Sequence, residues 1–120
     1  MKTILIVDDA PENVFVLKEA LKKVYRVLVA INGKTAIKIS KLVPNIDLVL
    51  LDIVMPDING YDVCQNLKGN PSTKNIPVIF ISASTQDKDK ARGFEVGASD
   101  YIIKPIDIKV LLSKVESILS

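Results

Sequence analysis

Four apolar runs of the 120-residue chain end on groups suited to phosphoryl and divalent-cation chemistry. Asp8 and Asp9 follow Thr3–Val7, Asp52 follows Leu48–Leu51, Ser82 follows Val78–Ile81, and Lys104 follows Tyr101–Ile103. Three neighbouring carboxylates would repel and raise one another's pKa unless a cation lay among them. Oxygen ligands without imidazole or thiolate suit magnesium (Mg2+) or manganese (Mn2+), and magnesium commonly takes one or two carboxylates with water and phosphate oxygens. Asp52 stands alone after the most continuously apolar run, so it is the acid best held for nucleophilic attack on a phosphoryl group. That reaction needs in-line placement and charge neutralisation more than acid–base help. Lys104 can supply positive charge to the phosphoryl oxygens, and Ser82 a hydroxyl hydrogen bond. In isolation, Asp8 and Asp9 read equally well as helix caps, and Lys104 as a surface lysine before a helix-starting proline. Their joint placement at strand ends argues for a site.

The elements that must position these groups repeat five times. Thr3–Val7 reads as a strand, and Glu12–Lys23 as an amphipathic helix with Val14, Leu17 and Leu21 on one face. Arg26–Ala30 and a helix over 34–43, closed by Pro44, follow the same plan. Residues 47–51 form the most apolar strand, as expected for one buried on both faces and central in its sheet. A breaker-rich loop over 53–60 leads to a helix from Tyr61 to about Lys68, ended by Gly69-Asn70-Pro71. Residues 77–82 form the fourth strand, and the helix after Asp87 ends near Gly97. Asp100–Ile103, a Lys104-Pro105 step that admits a cis peptide, and a helix with Ile108, Leu111, Leu112, Val115 and Leu119 on one face complete the series. This alternation predicts an α/β fold, a five-stranded parallel sheet covered on both faces. Right-handed crossovers then put every strand-to-helix loop at the carboxyl edge, where such folds bind ligands. Spacing brings Asp8, Asp9, Asp52, Ser82 and Lys104 to that edge, but leaves open which strand neighbours which.

Composition narrows the function classes. The length suits one domain over residues 1–120, and 48% hydrophobic with 25% charged residues is an ordinary globular balance. Net charge is +2 and the lysines are scattered, giving no electrostatic case for direct nucleic-acid binding. No apolar run approaches a membrane span, and the start does not read as a signal peptide, so a cytoplasmic location without membrane contact is the expectation. The single Cys64 reads as a packed core thiol. The chain has no His, which excludes a Ser-His-Asp triad, a His-ligated zinc site or a phosphohistidine of its own.

Asp8-Asp9, Asp52 with Met55-Pro56 and Gly60, Ser82-Ala83, Gly97-Ala98-Ser99-Asp100-Tyr101 and Lys104-Pro105 together resemble the receiver domain of two-component response regulators, of the chemotaxis-receiver kind. The resemblance covers essentially the whole chain. It implies a doubly wound, flavodoxin-like sheet in strand order 2-1-3-4-5. It implies phosphorylation at Asp52, with Asp9 a direct magnesium ligand, Asp8 a ligand through water, and the Val54 main-chain carbonyl completing the protein's share. Ser82 and Lys104 would bind the phosphoryl group. Tyr101 would change rotamer as Ser82 moves, switching the face built from the fourth helix, fifth strand and fifth helix. The alternative reading of Tyr101 is a strand aromatic half-buried against a helix. The implied partners are a sensor histidine kinase or phosphotransfer domain as phosphohistidine donor, and a downstream output domain or target protein. The domain would be an enzyme only in catalysing its own phosphorylation and slow dephosphorylation.

Three departures carry expectations. Ser stands at position 82 where Thr is commoner, which keeps the hydroxyl. Val54 and Ser84 flank the site without a carboxylate or amide to orient water, so the acyl phosphate should be long-lived. Val110 stands where winged-helix regulators usually have Glu, which argues against their symmetric salt-bridged dimer. Two other functions fit parts of the pattern: a pseudo-receiver acting only as an interaction scaffold, and a magnesium-dependent phosphohydrolase. The phosphohydrolase would want a second Asp where Val54 stands, and a flavin binder would want a Gly-rich cradle and aromatics that the loops lack. The pattern leaves open the cognate kinase, the target, and whether the chain stands alone or forms part of a hybrid kinase or multidomain regulator.

Overall fold

The structure, a computed structural model, describes residues 1–120. Strands β1 (Thr3–Val7), β2 (Arg26–Ala30), β3 (Leu48–Asp52), β4 (Val78–Ser82) and β5 (Asp100–Ile103) alternate with helices α1 (Pro11–Leu21), α2 (Gly33–Leu42), α3 (Gly60–Lys68), α4 (Asp87–Glu95) and α5 (Ile108–Leu119). The strands form one sheet in the order β2-β1-β3-β4-β5, all pairs parallel. This is the flavodoxin-like arrangement that the resemblance implied. Every residue of β1, β3 and β4 is buried, whereas the edge strand β2 exposes Arg26.

Side-chain alternation along the strands divides the core in two. Leu5, Val7, Val49, Leu51, Val78, Phe80 and Tyr101 pack with α2 and α3 on one face. Ile4, Ile6, Leu48, Leu50, Ile79, Ile81 and Ile102 pack against Leu17 and Leu21 of α1 and Leu111 and Val115 of α5 on the other. Cys64 lies in the first core as a free buried thiol, its pKa raised by burial, as a packing role requires. No helix is long and apolar enough to cross a membrane.

Element boundaries differ from the sequence expectation by one or two residues, each for a local reason. Helix α1 starts at Pro11, whose fixed φ suits the first helical position, and ends at Leu21 rather than Lys23. Strand β3 covers Leu48–Asp52 rather than 47–51: Asp47 meets Thr3 through its backbone N–H, which donates to the Thr3 carbonyl at 2.8 Å, and through its carboxylate, which accepts from the Thr3 N–H at 2.8 Å, and paired residues start at Leu48 opposite Ile4. Asp52 thereby becomes the last ladder residue, opposite Ile81. Strand β4 starts at Val78, although the Pro77 carbonyl still accepts from the Val49 N–H at 3.0 Å. Gly97 follows α4 with φ at 110°, the left-handed conformation that ends helices.

Candidate functional site

The sheet order sets the site. Adjacent β1 and β3 put Asp8 and Asp9 beside Asp52, with ligand oxygens from all three within 4.8 Å of one another. Asp8 and Asp52 are buried and Asp9 is exposed, so the group opens to solvent on one side. Lys104 follows β5, two strands from β3, and its stem spans the gap. Its ammonium lies 3.3 Å from Asp8 Oδ2 and 3.3 Å from Asp52 Oδ1. The Lys104 N–H donates to the Ser82 carbonyl at 2.8 Å, which ties the end of β5 to β4. The Lys104-Pro105 peptide is cis, as the X-Pro step allowed.

The remaining hydrogen bonds separate used oxygens from free ones. Asp8 Oδ1 accepts from the Ala10 N–H at 2.9 Å and Oδ2 from Lys104, so both Asp8 oxygens are engaged. Asp52 Oδ1 accepts from the Ile53 N–H at 2.9 Å and from Lys104. Asp52 Oδ2 and both Asp9 oxygens accept nothing from the protein. Burial, then the Asp8 charge, raise the Asp52 pKa, against lowering by Lys104 and the Ile53 N–H. One ammonium among three carboxylates leaves net negative charge with free oxygens. That donor set is hard and entirely oxygen, so it fits magnesium or manganese.

Local sequence fixes the approach of the surrounding loops. A Cβ on Gly60 would lie 2.3 Å from the Asp52 carbonyl oxygen and 2.8 Å from Ile53 Cα. Only Gly lets the start of α3 rest on the end of β3, where its N–H donates to the Ile53 carbonyl at 2.7 Å. Ser82 is buried, and its Oγ accepts from the Ser84 N–H at 3.1 Å. The Ser84 hydroxyl donates to the Asp89 carboxylate of α4. Tyr101 is 8% exposed, and its hydroxyl lies 3.4 Å from the Ser84 carbonyl. The Val54 side chain is 78% exposed beside the site.

All the strand-end groups singled out from the sequence therefore meet at one edge. The sequence reading missed three connections around them. Asp57, in the β3–α3 loop, accepts from the backbone N–H groups of Gly33 and Lys34 at the start of α2, both at 2.9 Å. The Tyr61 hydroxyl donates to the Asp89 carbonyl at 3.1 Å, and the Arg92 guanidinium lies 4.3 Å from the centre of the Tyr61 ring. An Asp in a loop of Pro56 and Asn59-Gly60 was the available signal for the first. The others join residues 28 and more positions apart, and nothing in local pattern marks them.

Comparison with known proteins adds the family. The sequence matches the family model of the response regulator receiver domain over residues 4–116. It is 48% identical over 115 residues to a probable cyclic di-GMP phosphodiesterase of Vibrio cholerae, covering 96% of this chain and 26% of that protein. The chain thus spans about a quarter of the length of that relative. It is 38% identical to protein PilH of Pseudomonas aeruginosa, covering 100% of this chain and 99% of that one. The signal receiver domain of a signal transduction histidine kinase from Syntrophus aciditrophicus superposes with a TM-score of 0.90 at 37% identity, covering 99% of this chain and 90% of that one. With its sheet order, its acidic strand ends and a family match over nearly its full length, the chain belongs to the response regulator receiver domains of two-component signalling.

Proposed function

We propose that the chain is a phosphoacceptor receiver that takes a phosphoryl group onto Asp52. The observation that carries this is the meeting of the Asp8, Asp9 and Asp52 carboxylates within 4.8 Å, with Lys104 bridging Asp8 and Asp52. Asp9 and Asp52 Oδ2, free of protein hydrogen bonds, suit direct contact with a cation, while Asp8, with both oxygens engaged, suits contact through water. The Val54 carbonyl is the fourth protein oxygen in this reading. Magnesium bound there would neutralise charge on the entering phosphoryl oxygens.

In the transfer, an Asp52 carboxylate oxygen attacks phosphorus, the P–N bond of a donor phosphohistidine breaks, and its electron pair stays on the imidazole nitrogen. The Lys104 ammonium and the Ser82 hydroxyl hold the phosphoryl oxygens. The added phosphoryl group carries about −1.5 to −2 charge, enough to draw in Lys104 and Ser82 and to bias a two-state element rather than rebuild the fold. Because Ser82 Oγ bonds Ser84, whose carbonyl faces the Tyr101 hydroxyl, movement of Ser82 bears on Tyr101 and on the surface of α4, β5 and α5. A sensor kinase or phosphotransfer domain supplies the phosphoryl group, and an output domain or target protein reads that surface.

Intact mass after incubation with acetyl phosphate and magnesium tests this. We expect one added phosphoryl group, absent from Asp52→Asn and absent with chelator. Because exposed Val54 is apolar and the Ser84 hydroxyl is engaged by Asp89, neither orients water, and the label should outlast seconds at neutral pH with magnesium. A folded chain that takes no label from acetyl phosphate or from candidate kinases would be a scaffold instead.

A further inference from the structure

The β3–α3 loop, residues 53–59, carries Val54 and separates Asp52 from α3. It is closed at its base by the Gly60 N–H to Ile53 carbonyl bond, and Asn59 caps α3 by accepting from the Asp62 N–H at 3.0 Å. Between those points, the only hydrogen bonds joining the loop to another element are the two that Asp57 accepts from Gly33 and Lys34. The approach there is close: a Cβ on Gly33 would lie 3.0 Å from Ile58 Cβ and 3.1 Å from the Ile58 carbonyl oxygen. Helix α2 already has its own cap, since Asn32 Oδ1 accepts from the Thr35 N–H at 2.8 Å. Asp57 therefore takes up two further free N–H groups at that helix start, from a residue outside the helix. An anionic carboxylate there also opposes the positive end of the helix dipole.

We propose that Asp57 is a positioning residue for the phosphoacceptor site, clamping the Val54-bearing loop to the amino end of α2. This rests on the receiver reading above. The clamp touches none of the Asp8, Asp9 and Asp52 carboxylates and acts by limiting where the Val54 carbonyl can sit. Bonds from the Lys34 and then the Gly33 N–H hold the Asp57 carboxyl down to about 2, so the clamp stays ionised at every working pH. Removing a group that orients a metal ligand typically costs about 10–100-fold in affinity, and Asp57 acts one step further out, so roughly three- to tenfold is expected.

The test uses the full chain with Asp57→Ala, Asp57→Asn and, as control, Asn32→Ala. The control removes a cap from the same helix without freeing the loop. Magnesium affinity is read by titration calorimetry, labelling by acetyl phosphate across magnesium concentrations, and stability by urea unfolding. Asp57→Ala should weaken magnesium binding by that factor and slow labelling at low magnesium, with most of the rate regained at saturation. Asp57→Asn, which keeps one acceptor oxygen, should fall between, and serves alone if the Ala variant does not fold. Asn32→Ala should lose comparable stability with unchanged magnesium affinity. Equal magnesium effects from Asn32→Ala and the Asp57 variants, or no effect from the latter, would reduce Asp57 to a helix cap and overturn the proposal. A wild-type chain that neither binds magnesium nor takes the label would instead bring down the receiver reading itself, and the clamp with it.

Discussion

Asp52 meets opposed demands, since burial and the neighbouring Asp8 disfavour its charge while the nucleophilic attack proposed for it requires that charge. Its carboxyl titrates higher in the fold than in the unfolded chain, where the value is about 3.9. The folded state then binds more protons, so this group makes stability fall as pH rises from about 4 through the raised value. Asp52→Asn should therefore stabilise the metal-free protein at neutral pH while abolishing labelling, the usual exchange between stability and function at a charged site. Urea unfolding of both proteins in chelator checks this, and a destabilised variant would show that the Lys104 pairing outweighs burial and repulsion. Asp57 has the opposite sign: its lowered pKa contributes stability that is complete above about pH 4 and is lost as pH falls toward 2.

At the scale of elements, the contact of α3 with the end of β3 is the least forgiving. Gly60→Ala would push a methyl into the Asp52 carbonyl, which is backbone and cannot rotate aside. Such overpacking typically costs about 1–3 kcal/mol, and here it displaces Asp52, the proposed phosphoacceptor, as well. We expect a lower unfolding midpoint together with labelling that stays slow at saturating magnesium, unlike the Asp57 variants, whose rate recovers. A Gly60→Ala protein labelled at the wild-type rate would show that the loop yields without moving Asp52. On the other side of the site, Ser84, Asp89, Tyr61 and Arg92 join the β4–α4 loop to α3 and α4. Movement of Ser82 therefore meets a polar network before it reaches α4.

For the whole molecule, folding brings Asp52 and Lys104 from distant parts of the chain to the adjacent Asp8 and Asp9, so the magnesium site proposed there would exist only in the folded state. Magnesium at about a hundred times its dissociation constant should raise unfolding free energy by roughly 2.7 kcal/mol, and chelation should remove that gain. Thermal unfolding with and without magnesium checks this, and an unchanged midpoint would count against a cation site. The chain by itself determined much of this architecture. Continuous apolar runs that stop at Asp8, Ser82 and Lys104, with helical periods between them, specify five strand–helix units and the edge where their polar ends emerge. Those are local properties, written within a dozen residues. Strand adjacency is not local: β1 beside β3, and Lys104 reaching from β5 to Asp8 and Asp52, depend on how all five units pack, and sequence pointed to that order only through resemblance. Tertiary structure alone decided which carboxylate oxygens remain free, where the Ser84 hydroxyl turns, and that Asp57 closes on α2. Each is an outcome of contacts between segments distant in the chain, where hydrogen bonds are settled by packing rather than by neighbouring residues.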